Sequence, residues 1–247
     1  MAIGRALVLL VCGSLAVAAD AGAATVKLHP NGRIVVLEGR IEVGDLDKVV
    51  RISEDAAPTA IYLASPGGNL GEAMRIGALV RRLAWETKTA DGPNVPAAIR
   101  FGVAASYGIR NPARNNVCAS ACFFIFVSGI YRDGHVLGIH QPYMSPAEME
   151  KISAEEASRR TSDVKATVDR FLKRMGVPPA YLEEMYEVPK EKVRWLTEDE
   201  IRADFQGFIP EVREWVQTQC GEDAATVRCK NDVMTGIRIR ALQQGIR

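Results

Sequence analysis

Three features of this 247-residue chain have the residue types and spacing for acyl-transfer chemistry: a serine among small residues, a histidine leaving an apolar run, and two adjacent glycines. Ser120 stands in CASAC with FFIFV directly behind it, which places its hydroxyl in the first turn of a buried helix, where the helix's positive end favours an alkoxide. His140 follows VLGI and opens HQP, and a histidine leaving a strand within reach of a serine is the minimum machinery for activating a hydroxyl. In SPGGNLG, Gly67 and Gly68 separate an apolar run from a helical one. Lacking side chains, they can take positive φ and present bare N–H groups to an oxyanion. The turn lacks the lysine and spacing of a phosphate loop, so a phosphate site is the weaker reading. Singly, each feature also has an ordinary structural role: a tight turn, a small packing residue, a core histidine bonded to backbone. The combination is what points to chemistry.

Elements that position these residues follow from periodicity. Residues 34–39 (IVVLEG) and 59–63 (TAIYL) have strand length, and helical spacing follows each, over 45–52 with Asp45 as cap and over 70–82. From 87 to 114 the pattern loosens into Pro- and Gly-containing sequence that reads as an inserted hairpin or loop. A dense apolar segment (116–129) and a short strand (136–139) then lead into His140. Beyond lie helical stretches at 154–175 and 179–186, a short apolar run at 193–196, and the capping box Thr197-Glu198-Asp199-Glu200. This alternation argues an α/β layer fold with a mostly parallel sheet.

Composition limits the partners. A formal net charge of +1, with no run of five or six like charges, gives no field suited to nucleic acid or an anionic membrane. Residues 1–24 read as a signal peptide: Arg5 precedes an apolar run to Ala19, too short to span a bilayer, followed by small-residue cleavage sites. The expected location is therefore periplasmic or secreted, where disulfides persist. Cys220 and Cys229 bracket a short polar stretch and are expected to be bridged, whereas Cys118 and Cys122 are expected to be reduced and buried as small apolar residues of one helix. Neither pair has C-x-x-C spacing and only three histidines exist, so no metal site is expected.

As a set, VVLEGRIEVGDLDKVV, IYLASPGG, CASACFFIFVSG, GIHQP and RWLTEDEIRADFQGFI resemble the proteolytic subunit of the Clp protease and its relatives in the Clp–crotonase superfamily. The resemblance implies stacked ββα units over residues 25–211, followed by a C-terminal tail over 212–247. It implies Ser120 as nucleophile, His140 as general base, and the backbone N–H groups of Gly67 (with Gly68 beside it) and Ala121 as oxyanion hole. It further implies a peptide or protein substrate, no cofactor, and a homo-oligomer formed through the charged helix at 154–175. Where the family carries its orienting Asp, EKVRWLT has Val193, which leaves Glu191 or Asp199 for that role. The expected function is an exported serine hydrolase, a peptidase by the resemblance; the alternative is a catalytically degenerate binding or scaffold protein. A crotonase-like acyl-thioester enzyme would need no serine nucleophile, and the presence of both Ser120 and His140 counts against it.

Overall fold

The computed structural model describes residues 23–91, 97–110, 116–144, 150–221 and 227–243; apart from Ala23 and Ala24, the expected leader lies outside them. The fold is mixed α/β and contains two sheets. The larger runs in the order β1 (Thr25–Leu28), β2 (Ile34–Glu38), β3 (Ala60–Ala64), β4 (Glu86–Lys88), β6 (Tyr131–Asp133), β9 (Gly207–Phe208), parallel from β2 to β6 and antiparallel at both edges. The smaller has β5 (Cys118–Ala119) parallel to β7 (Leu137–Ile139), with β8 (Arg194–Trp195) antiparallel at its edge. Ser65, just past β3, joins them: its N–H donates to the Val117 carbonyl at 2.7 Å, and its carbonyl accepts from Ala119 N–H at 3.1 Å.

Strands β2 and β3 are apolar on both faces because both faces are covered. Val35, Leu37, Ile61 and Leu63 enter the main core, while Val36, Tyr62 and Ala64 enter a second, smaller cluster. Such burial explains their unbroken apolar runs. On the main side lie α1 (Asp45–Ala56) and α2 (Leu70–Arg82). The residue capping α1 is Gly44 rather than Asp45, whose buried carboxylate instead accepts from Glu42 N–H at 2.8 Å. Helix α2 begins at Asn69, whose side chain accepts from Glu72 N–H at 2.8 Å. Midway along, Gly77 lets α2 lie directly on the next core helix: a Cβ there would fall 3.0 Å from the Phe124 carbonyl oxygen.

On the second side the expected hairpin or loop over 87–114 is corrected for its described residues, 92–96 and 111–114 lying outside them. The segment supplies β4 and then helix α3 (Ala97–Ser106). Ala104 of α3 is fully buried, and Tyr107 beyond its end stacks on Tyr62 with ring centroids 3.9 Å apart. Packing on the sheet, more than local propensity, makes this stretch helical.

Helix α4 (Ala121–Phe126) is buried along its whole length. Buried Arg132 ties its end down by donating to the carbonyls of Val127 and Met175, the latter capping α5 (Ala154–Arg174). Of α5 only Val168, Phe171 and Leu172 are buried, so its first two-thirds present charge to solvent. After α6 (Pro179–Glu187), the Thr197 capping box starts a short α7 (Glu198–Glu200) that runs into a π-helical turn, Ile201–Phe205. The tail helices α8 (Pro210–Cys220) and α9 (Val227–Gln243) are joined by the expected Cys220–Cys229 disulfide. Met234 packs the tail against Ala84, Ile130 and Ile209, and Arg238 reaches Glu86 at 2.8 Å. Among the described residues no helix is long and apolar enough to cross a membrane, and no group of three or more His, Cys, Asp or Glu could hold a metal ion.

Candidate active site

Ser120 is the single residue between β5 and α4, and it turns the chain at φ 56, ψ −125. Few residues other than glycine occupy this region; strain of this kind concentrates at functional sites, and a serine on a sharp strand-to-helix turn has its hydroxyl pushed out of the fold. Two interactions fix the turn. Ser120 N–H donates to the Gly138 carbonyl at 2.9 Å, and its own carbonyl accepts from Phe123 N–H at 3.0 Å. A third was not foreseen: Cys118 and Cys122 form a disulfide across Ser120, with Cα atoms 5.2 Å apart. The expectation of reduced thiols on one helix is therefore corrected. Cys118 lies in the strand and Cys122 in the first turn of the helix, and the sharp turn between them brings them within disulfide span, which a straight helix presents less readily.

The glycine turn faces the same serine. Gly67 has φ 107, and a Cβ on it would lie 2.5 Å from Ser120 Cβ and 2.9 Å from Ser120 Oγ. No side chain fits there. Its N–H is already used, donating to Ser65 Oγ at 3.1 Å. Gly68, at φ 141, lies against Ile41, where an added Cβ would meet the Ile41 carbonyl oxygen at 2.2 Å. The bridge to Ile41 uses the Gly67 carbonyl and Asn69 N–H, so Gly68's own N–H makes no hydrogen bond among the described residues. Ala121 is the first residue of α4 and has no intrahelical acceptor for its N–H.

His140 arrives by register. Ala119 pairs with Gly138, so the residue after β5, Ser120, and the residue after β7, His140, leave the same ends of adjacent parallel strands. Both are half-buried. No hydrogen bond joins them among the described residues; His140 Nδ1 instead meets its neighbour's carbonyl, Gln141 O, at 2.9 Å. A carbonyl only accepts, so Nδ1 carries a proton in this contact, and in the neutral ring Nε2 then has the lone pair that a general base needs. This orienting contact comes from backbone and has no side-chain signature in the sequence.

Across from His140 stands Val193. Ile139 pairs with Arg194 in the antiparallel β7–β8 ladder, so the next opposed pair is His140 with Val193. Gly138 makes room for this edge: a Cβ there would lie 2.5 Å from Val193 Cγ1 and 3.0 Å from the Trp195 ring. Val193 and Trp195 are exposed beside His140, and the Tyr143 ring lies 6.0 Å from the imidazole. Carboxylates nearby have other partners. Glu191 is exposed and 3.9 Å from Lys190, and Asp199 is exposed and 3.2 Å from Arg202. Arg194 pairs with Glu184 at 2.8 Å and with Glu200. Hydrogen bonds from the Arg194 guanidinium, then from Thr197, draw the Glu200 carboxyl down to about 2.

No protein-family model matches the chain, and no curated protein matches it. Among solved structures it is similar to an asparagine-to-aspartate mutant of ClpP1 from Listeria monocytogenes, at 16% identity over 71% of this chain and 88% of that one, with a TM-score of 0.45. It is also similar to a serine-to-alanine mutant of a membrane-bound stomatin-specific protease, 1510-N, at 15% identity over 72% of this chain and 77% of that one, with a TM-score of 0.40.

Proposed function

We propose that the protein is an exported serine hydrolase acting on peptide or protein substrates. The observation that carries this reading is the Ser120 elbow, a non-glycine residue at φ 56 pressed against a glycine turn that has no room for a side chain. In the reaction, His140 Nε2 takes the Ser120 proton as Oγ attacks the acyl carbon, and the N–H groups of Gly68 and Ala121 stabilise the oxyanion. Ser65 Oγ holds Gly67 in place, so Gly67 contributes clearance and Gly68 the donor. Gln141 carbonyl orients the imidazole. A neutral carbonyl stabilises the imidazolium less than a carboxylate does, so turnover is slow. Residues 1–24 are the leader, 25–211 the hydrolase domain, and 212–247 a tail anchored by its disulfide.

The missing acid favours a second reading, a Clp-like binding or scaffold protein that has lost catalysis. Val193 opposite His140 is the observation behind it. A fluorophosphonate probe separates the two. Wild-type protein is expected to be labelled at Ser120, Ser120→Ala not at all, and His140→Ala much more slowly. Folded wild-type protein that stays unlabelled across the pH range in which imidazoles lose their proton establishes the scaffold reading.

A further inference from the structure

The Cys118–Cys122 bridge has a position that invites more than a stabilising role. It closes a loop whose central residue is Ser120, and both sulfurs are fully buried. On one side the strand is fixed by hydrogen bonds from Cys118 N–H to Val136 O at 3.0 Å and from Ala119 N–H to Ser65 O at 3.1 Å. On the other, the first turn of α4 carries the Ala121 N–H. Only Ser120 lies between, in a backbone region that an L-residue leaves when nothing holds it there. The covalent tie from Cys118 to Cys122 spans this one strained residue and sets the angle between strand and helix.

We infer that the Cys118–Cys122 disulfide is the positioning element for the candidate nucleophile, so that Ser120 is reactive only when the two cysteines are oxidised. With the bridge open, Ser120 relaxes toward negative φ, its Oγ swings off the line toward His140, and the Ala121 N–H turns with it. A chain still in a reducing compartment is therefore inert, and the site forms on oxidation. The inference rests on the hydrolase reading of this site.

The experiment uses full-length protein in a Cys220→Ser/Cys229→Ser background, leaving one bridge. Dithiothreitol opens it: a thiolate attacks one cysteine sulfur, a mixed disulfide forms, and the second thiol closes the oxidised ring, so two electrons and two protons end on Cys118 and Cys122. A Cys118→Ala/Cys122→Ala variant gives the same state without reductant. Fluorophosphonate labelling is split into the maximal rate and the half-saturating probe concentration, with near-UV circular dichroism on the same samples. The expected result is a fall of about 100-fold in maximal rate with the half-saturating concentration nearly unchanged, as a displaced nucleophile gives. Re-oxidation restores the rate. Equal rates in the oxidised and reduced folded protein overturn the inference while leaving the hydrolase reading intact. A loss of labelling that merely tracks a loss of tertiary signal overturns it as well, because the bridge then acts only on stability. If the oxidised protein itself is unlabelled, the hydrolase reading fails first and the inference with it.

Discussion

The two sheets of this molecule differ in how far burial reaches toward the candidate site. In the six-stranded sheet, β2 and β3 are covered on both faces, and Val35, Val36, Leu37, Ile61 and Leu63 have no exposed surface. In the three-stranded sheet β5 and β7 are buried as well, but the edge strand β8 is open, with Trp195 48% and Val193, just before it, 38% exposed beside His140. The large sheet can therefore hold the backbone at Ser65 to within hydrogen-bond tolerance, while the edge of the small one is free to present side chains. The glycine turn and the serine elbow meet where they join, and that junction gives the candidate site rigid backbone on one wall and accessible side chains on the other.

The contrast is sharpest in stability. Leu63→Ala in the large sheet is expected to cost about 2–5 kcal/mol in denaturant unfolding, the usual range for an emptied core site. Trp195→Ala at the open edge should cost much less, and comparable losses at the two positions would erase the distinction. The next effect tests the junction. Gly67→Ala puts a Cβ where Ser120 Cβ and Oγ already stand, so fluorophosphonate labelling should drop by about 100-fold or more, as for a nucleophile displaced by an ångström. Retained labelling would show that the turn can retreat.

Smaller again is a gain. Val193→Asp places a carboxylate opposite His140 and should speed labelling by about 10-fold, part of what an orienting acid supplies. Glu191→Gln and Asp199→Asn should leave it unchanged, since both carboxylates are exposed beside cations of their own; a loss from either would identify the orienting acid there. The smallest effect concerns the edge behind Val193. Glu200 has a carboxyl lowered from 4.5 to about 2 in the folded protein, so the stability it contributes is present above its unfolded pKa and is lost as pH falls from there toward about 2. For a partly exposed pair this is under about 1 kcal/mol. Glu200→Gln should lower stability at neutral pH and flatten its decline over that acid window in thermal melts, and an unchanged slope would mean that Arg194 relies on Glu184 alone.

How much of this was legible beforehand follows from the physics of each element. The runs at Ile34 and Ala60, the amphipathic helix from Leu70 and the Thr197 capping box are local patterns whose periodicity survives folding, and all were readable. Helix α3 was not, because its Ala-rich sequence has no strong period and is held by Tyr62 and Val36, residues far away in the chain. Ser120, His140 and the glycines stood out as residue types. Their local geometry did not: that Gly67 N–H is taken up by Ser65 Oγ, while Gly68 N–H makes no hydrogen bond among the described residues, depends on Ser65 and Ile41. The Cys118–Cys122 bridge had a usable signal, two cysteines symmetrically flanking a serine, but reading it required knowing that the chain bends there.

Trp195 gives the molecule a built-in optical handle on the candidate site. Of three tryptophans, Trp85 is enclosed in the core and Trp215 lies under the Arg240 guanidinium at 4.8 Å, whereas Trp195 stands open on the strand face that carries His140. A molecule settling over the Ser120–His140 edge displaces water from that indole, so occupancy reads out as a blue shift and change in intensity of the exposed emission component, with the Trp85 component as internal reference. Binding can thus be followed without a label and without turnover, which makes even a catalytically silent site measurable.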